Sequence, residues 1–257
     1  MTAMILSTEN LHAVKRSLRE FFPDAGSSHL SEALAAAVGR RTHAALRAEL
    51  AEADPADPEI AMVDQDAFLA RARELGFNPP QEDIEWGIFP LDVPGHDQIF
   101  LDTTPSSGWD IEYTSLRDRA WRNMLVAAIN AGIEQKLFSV RPGDNRWPVT
   151  EHERTHVFHF TFGNGIPAIA SLFDAGWDEI SIHVALWPTT RGIEFVRSWN
   201  AGFIAGEAFA TSWLERKNGA WLQSNTKSLR CRQSLLRTVA EVDVKPKCFG
   251  DRGKVIM

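Results

Sequence analysis

Apolar positions recur every three to four residues over the first fifty positions and every second residue further on, so helices are predicted first and strands later. Leu11, Val14, Leu18, Phe21 and Phe22 mark one helix, which Pro23 and Gly26 end. Ser28 is placed to cap a second helix with a Leu30, Leu34, Val38 stripe closed by Gly39, and Thr42 a third with Leu46 and Leu50. Each is too short to be stable alone. The three are therefore predicted to bury their stripes together, as a helical module over residues 1–52.

Residues 53–63 read as an acidic linker in which Pro55 and Pro58 forbid a continuous helix. A mixed domain is predicted from 64 to 257. It begins with a short helix at about 64–76, followed by a long one opened by Ser115 and Asp118 in capping-box spacing, with Leu125, Ile129, Ile133 and Leu137 on one face. Residues 155–162 alternate strictly, Phe158, Phe160 and Phe162 against Val157, His159 and Thr161, and 180–186 repeat the pattern. Between them GNGIPAIASLFDAG reads as a glycine turn and a short helix, which makes the stretch a β-α-β unit with parallel strands. A second long helix is predicted from Thr190 to Gly219, with Gly202 and Gly206 allowing close packing, and a short helix with a basic end closes the chain. The class is α+β: a three-helix module plus two long helices on a small sheet.

The second helix and its surroundings, through Ser28, His29, Glu32, Ala33, Leu34, Ala35, Gly39, Thr42, Ala45 and Leu46, resemble the glyoxalase-related domain. That small module stands at the N-terminus of many bacterial proteins, often borne on mobile elements. The resemblance covers residues 8–50. It implies an accessory protein and carries no activity with it, because the βαβββ repeats that build a glyoxalase metal site are not found.

The 257 residues are 44% hydrophobic and hold two cysteines, Cys231 and Cys248, too few for a disulfide framework. No apolar run approaches the roughly 18 residues of a membrane span. A cytoplasmic setting without membrane attachment is expected.

Charge is concentrated. The balance is +1 over 1–50, −13 over 51–118, zero over 119–226 and +5 over 227–257, within a net charge of −7. The carboxylates of Asp54, Asp57, Glu59, Asp64, Asp66, Glu82, Asp83 and Glu85 can meet a basic protein partner, such as a nucleic-acid-binding complex, by imitating phosphate, or form a solvated face. The basic tail can bind nucleic acid or pair with the acidic band. In a helix-turn-helix reading the third helix would present Arg40, Arg41, His43 and Arg47 to DNA.

Catalytic signals are sparse. His152, His156 and His159 have ligand-like spacing, but a strand sends His156 and His159 to opposite faces. His159 and His183 lie opposite their strands' apolar rows, and adjacent strands would let them share a metal or acid-base site with Asp178, Glu179 or Glu153. Gly163-Asn164-Gly165 lacks the remainder of any phosphate-binding fingerprint and reads as a turn. The nine tryptophans mostly fall in apolar stripes, which favours core packing over base stacking. No cofactor is predicted, and the sequence leans towards a non-enzymatic protein of macromolecular interaction.

Overall fold

The computed structural model describes residues 2–78, 88–96, 98–103, 112–141, 144–150, 156–187, 206–216, 220–224 and 228–254. They belong to two units, Met1–Thr103 and Thr104–Met257. The predicted linker at 53–63 is therefore not the boundary: its last residues form a strand that belongs to the first unit.

In that unit, Thr2–Ile5 is β1, followed by α1 (Thr8–Phe21), α2 (Ser27–Ala37) and α3 (His43–Glu52). β2 (Ile60–Val63), α4 (Gln65–Glu74) and β3 (Phe100–Asp102) complete it. Thr42 caps its helix as predicted, and Ser7 and Asp64, which were not predicted as caps, do the same for theirs. Ser7 Oγ accepts from Asn10 N, Thr42 Oγ1 from Ala45 N and Asp64 Oδ1 from Ala67 N. α2 begins one residue before Ser28, after Gly26, without a side-chain cap.

The three helices do not close their core by themselves. α3 buries only Leu46, whereas Leu30, Ala33, Leu34 and Ala37 of α2 share a core with Phe68, Leu69 and Ala72 of α4. Phe22, Phe68, Phe77, Phe89 and Phe100 form a chain of tilted and edge-on rings through that core. β1 lies between β2 and β3, antiparallel to both, with Met4 in the helical core and Ala3 and Ile5 in a second cluster with Leu101. An N-terminus that reads as a lead-in to a helix is thus the central strand of a sheet.

The second unit is built on α5 (Leu116–Glu134), opened by the Ser115/Asp118 capping box. Its sheet runs β10-β8-β7-β6-β5-β4 with β9 beside β7, where β4 is His156–Phe162, β5 Ile166–Gly176, β6 Glu179–Leu186 and β7 Ala208–Glu215. β8 is Trp221–Ser224, β9 Leu229–Cys231 and β10 Gly250–Lys254, and α6 (Gln233–Ala240) precedes β10.

Two predictions fail here. Residues 166–176 are a strand, antiparallel to β4 and β6, so no β-α-β unit exists. The three-residue turn Gly163–Gly165 is far too short for a crossover, and it instead folds β5 straight back on β4. Ala208–Glu215, placed in the second long helix, is also a strand, paired along its length with β6. Of the rest of that prediction, residues 190–205 and 217–219 lie outside the described residues.

One face of the sheet meets α5 closely. A Cβ on Gly132 would lie 2.8 Å from the Phe138 ring and 3.3 Å from Leu172 Cδ1, so only glycine allows this approach. The opposite side of α5 carries α6 and the strap that follows it, Glu241–Cys248. Asn123 Nδ2 donates to the carbonyls of Val239, Ala240 and Val242 at 3.1, 3.2 and 2.8 Å. Two turns on, Asn130 Nδ2 donates to Lys245 O and its Oδ1 accepts from Lys247 N. Arg122 adds bonds to Val244 O and to the Asp251 carboxylate. Asp144 accepts from Arg141 and Arg146, and Arg146 holds its carboxyl well below the usual range, while Arg216 stacks 3.9 Å over the Trp147 ring.

Because one amide serves three carbonyls, Asn123→Ala is expected to destabilise the chain by about 2–3 kcal/mol in urea unfolding and to speed hydrogen exchange over residues 239–244. A loss below about 0.5 kcal/mol would show that apolar contacts hold the strap instead.

Candidate functional site

The buried polar centre of the second unit lies on the sheet face turned away from α5. Register aligns Val157, Ser171, His183 and Thr211 in one row across β4, β5, β6 and β7. His183 is 3% exposed, its ring 5.7 Å from Phe173 and 6.1 Å from Phe209, the latter nearly parallel. Among the described residues neither ring nitrogen has a hydrogen-bond partner, and neither does Ser171 Oγ on the neighbouring strand. Burial pushes the imidazole down from its ordinary 6.5 to about 4, so it is neutral at pH 7.

The sequence pairs His183 with His159, and the structure keeps them apart. Both are on the same face, but β5 lies between their strands, and His159 aligns with Ala185 rather than His183. Two strand spacings, about 9.6 Å, plus the offset of two residues separate them. His159 is exposed while His183 is buried. Glu179 stands four residues back along β6, about 13 Å away, and Asp178 lies beyond it bonded to Arg216. His152 and Glu153 lie outside the described residues. No group of three His, Cys, Asp or Glu able to hold a metal occurs among the described residues. His183 therefore has the environment of a neutral core histidine with spare hydrogen-bonding capacity, and no carboxylate to orient it as a base.

The first unit sorts the charged candidates. Between Arg47 and Arg71 there is no lysine or arginine, and seven carboxylates fall in that interval. Arg40, which reaches two carboxylates of that stretch, is committed: its guanidinium bonds Glu49 at 2.8 Å, Glu59 at 2.6 Å and the Val38 carbonyl, and its side chain is 18% exposed. That removes it from any phosphate-reading set. Arg41 and Arg47 are exposed, while His43 is half-buried, its backbone N–H donating to Glu32 and its imidazole pushed down by burial and by Lys15. Asp54 and Asp64 each accept a local backbone N–H and remain exposed, as do Glu52, Glu59 and Asp66. Glu82, Asp83 and Glu85 lie outside the described residues.

Two cations of the basic tail pair within their own unit. Lys247 meets Glu134, and Arg232 meets Glu207 at 2.5 Å. Sequence reasoning missed the polar residues that do most here, Asn123 and Asn130. Their seven-residue spacing within an otherwise apolar helix was the available signal.

Comparison with family models, curated proteins and solved structures returns no match.

His183 generates a pH test. The unfolded chain takes up the proton near pH 6.5, whereas the folded chain resists until about pH 4. Its contribution is complete above the higher value and is lost progressively towards the lower, by about 3 kcal/mol. In urea unfolding at about pH 7.5 and about pH 4.5, His183→Leu is expected to lose less stability on acidification than the parent. An identical loss in both proteins would mean that His183 is already protonated in the fold.

Proposed function

We propose that this protein works by macromolecular interaction rather than catalysis, through an acidic surface between the end of α3 and the start of α4 that engages a basic, nucleic-acid-binding protein. The observation that carries this is the commitment of Arg40. With it neutralised by Glu49 and Glu59, the exposed Glu52, Asp54 and Asp66 contribute a negative field over a stretch free of lysine and arginine. Residues 1–103 hold eight basic and eighteen acidic side chains, a balance of −10 against a whole-chain charge of −7. The resemblance of residues 8–50 to the glyoxalase-related module supports an accessory role on a mobile element, as a defence inhibitor or regulator. A cytoplasmic setting belongs to the same reading. No helix among the described residues is long and apolar enough to cross a membrane.

DNA reading by α3 is the weaker proposal. With Arg40 committed, Arg41 and Arg47 are its exposed cations, and Glu49 and Glu52 share the helix.

Capture from bacterial lysate by the tagged protein at about 0.05 M salt is expected to yield a stoichiometric basic protein that is released at about 0.5 M. The triple variant Glu52→Gln, Asp54→Asn, Asp66→Asn should lose it at both. Undiminished capture by the variant, or a partner that salt does not release, would overturn the proposal.

A further inference from the structure

The second unit ends in an unblunted strand. β4 is the last strand of the sheet order, and among the described residues no strand pairs with its outer edge. Edge strands usually carry a lysine, a proline or an inward charge that prevents further pairing. His156–Phe162, HVFHFTF, has none of these. One group on it, the His159 carbonyl, accepts at 3.1 Å from Gln135 Nε2, an exposed and readily displaced side chain. Val157, at 43% exposure, leaves an apolar side chain in solvent on this strand.

The pattern along β4 says what fits that edge. About His159 the strand is nearly palindromic: Phe158 mirrors Phe160, and Val157 mirrors Thr161. Paired antiparallel with a second β4 and centred on His159, every aromatic residue on the α5 side meets an aromatic or an imidazole, Phe158 against Phe160 and His156 against Phe162. On the other side β-branched meets β-branched, Val157 against Thr161. Such pairs contribute roughly 0.2–1 kcal/mol each, and no charge is brought opposite a like charge. Beside the edge is a cleft of about 500 Å³, lined by Ala127 and Ala131 of α5, Phe160 and Thr161 of β4, and Val242 and Val244 of the strap. Its wall is mixed, because Asn130, Glu134, Gln135 and Asp243 line it as well.

We propose that β4 is a homotypic docking edge: two copies of the chain join β4 to β4 about a two-fold axis through His159, and the two sheets become continuous. The surface taken up by a single seven-residue strand and its cleft is at the small end for a specific interface, so the dimer is weak, with a dissociation constant on the order of 10 µM. The proposal is independent of the acidic surface on the first unit.

Sedimentation equilibrium from about 1 to about 200 µM reads this directly, with monomer passing to dimer across the range. Val157→Lys with Thr161→Lys changes only solvent-facing side chains and is expected to leave a monomer with unchanged thermal unfolding, since four lysines would meet at the junction. Register is read by cysteine cross-linking in a Cys231→Ser background. His159→Cys, which meets its own copy, should oxidise to a covalent dimer, and Val157→Cys, displaced four residues from its copy, should not. A monomer at every concentration overturns the proposal. So does a dimer that survives the two lysines, equal cross-linking at 157 and 159, or an edge protected by a different protein while this chain stays monomeric.

Discussion

A helix buried on both flanks leaves itself no solvent face for its polar groups, and α5 is in that position. Trp121, Met124, Leu125, Val126, Ala128 and Ile129 are all fully buried. One flank is closed by the sheet and the other by α6 and the strap. The second layer is irregular backbone, whose N–H and C=O groups cannot satisfy each other as a helix or sheet would. Asn123, Asn130 and Arg122 supply those partners from within α5, so a strap without secondary structure can lie in a dry interface. Trp121 does the same on the sheet side, its indole N–H donating to Thr211 O at 3.2 Å. These bonds also set the outer wall of the cleft beside β4, because Val242 and Val244 stand on the strap that the asparagines hold. At Gly163 the fit is close: a Cβ there would come within 2.6 Å of Val242 Cγ1.

How much of this could be read from sequence depended on whether an element had a wet face. α1, the Ser115 capping box and the alternation in β4 were legible because each shows solvent one side of itself. β5 did not. Ile166, Ala168, Ala170 and Leu172 turn towards α5, and Ile169, Ser171 and Phe173 towards the other face, so apolar residues on both sides erase the alternation. Alanine and leucine then suggested a helix, and pairing with two neighbours overrode that preference. β7 was misread for the same reason, since Ala208–Glu215 is buried on both faces over most of its length. β1 failed differently: four consecutive buried residues carry no period, and its role as a central strand depends on β2 and β3, nearly sixty and a hundred residues away.

The candidate sites divide along a similar line. His183 was found because it interrupts an apolar strand, and its separation from His159 was hidden because it depends on β5 standing between them. Single-residue chemistry is visible in sequence, but convergence requires topology. Charge was easier. A run without lysine or arginine stays a run wherever the chain goes, and only the position of Arg40, folded back on Glu49 and Glu59, needed the structure.

The two units use their charges in opposite ways. In residues 104–257 several described cations have assigned work: Arg122 on Asp251, Arg141 and Arg146 on Asp144, Arg216 on Trp147 and Asp178, Lys247 on Glu134. Several of these groups are half-buried or buried, where pairing is required simply to offset desolvation. Between α3 and α4 the carboxylates have lighter duties. Asp54 and Asp64 cap local turns with one oxygen each, and Glu52 and Asp66 stand in solvent. A fold gains little from such groups, and their mutual repulsion opposes compaction. On the proposed reading the exposed Glu52 and Asp66, which take no part in those caps, serve a partner.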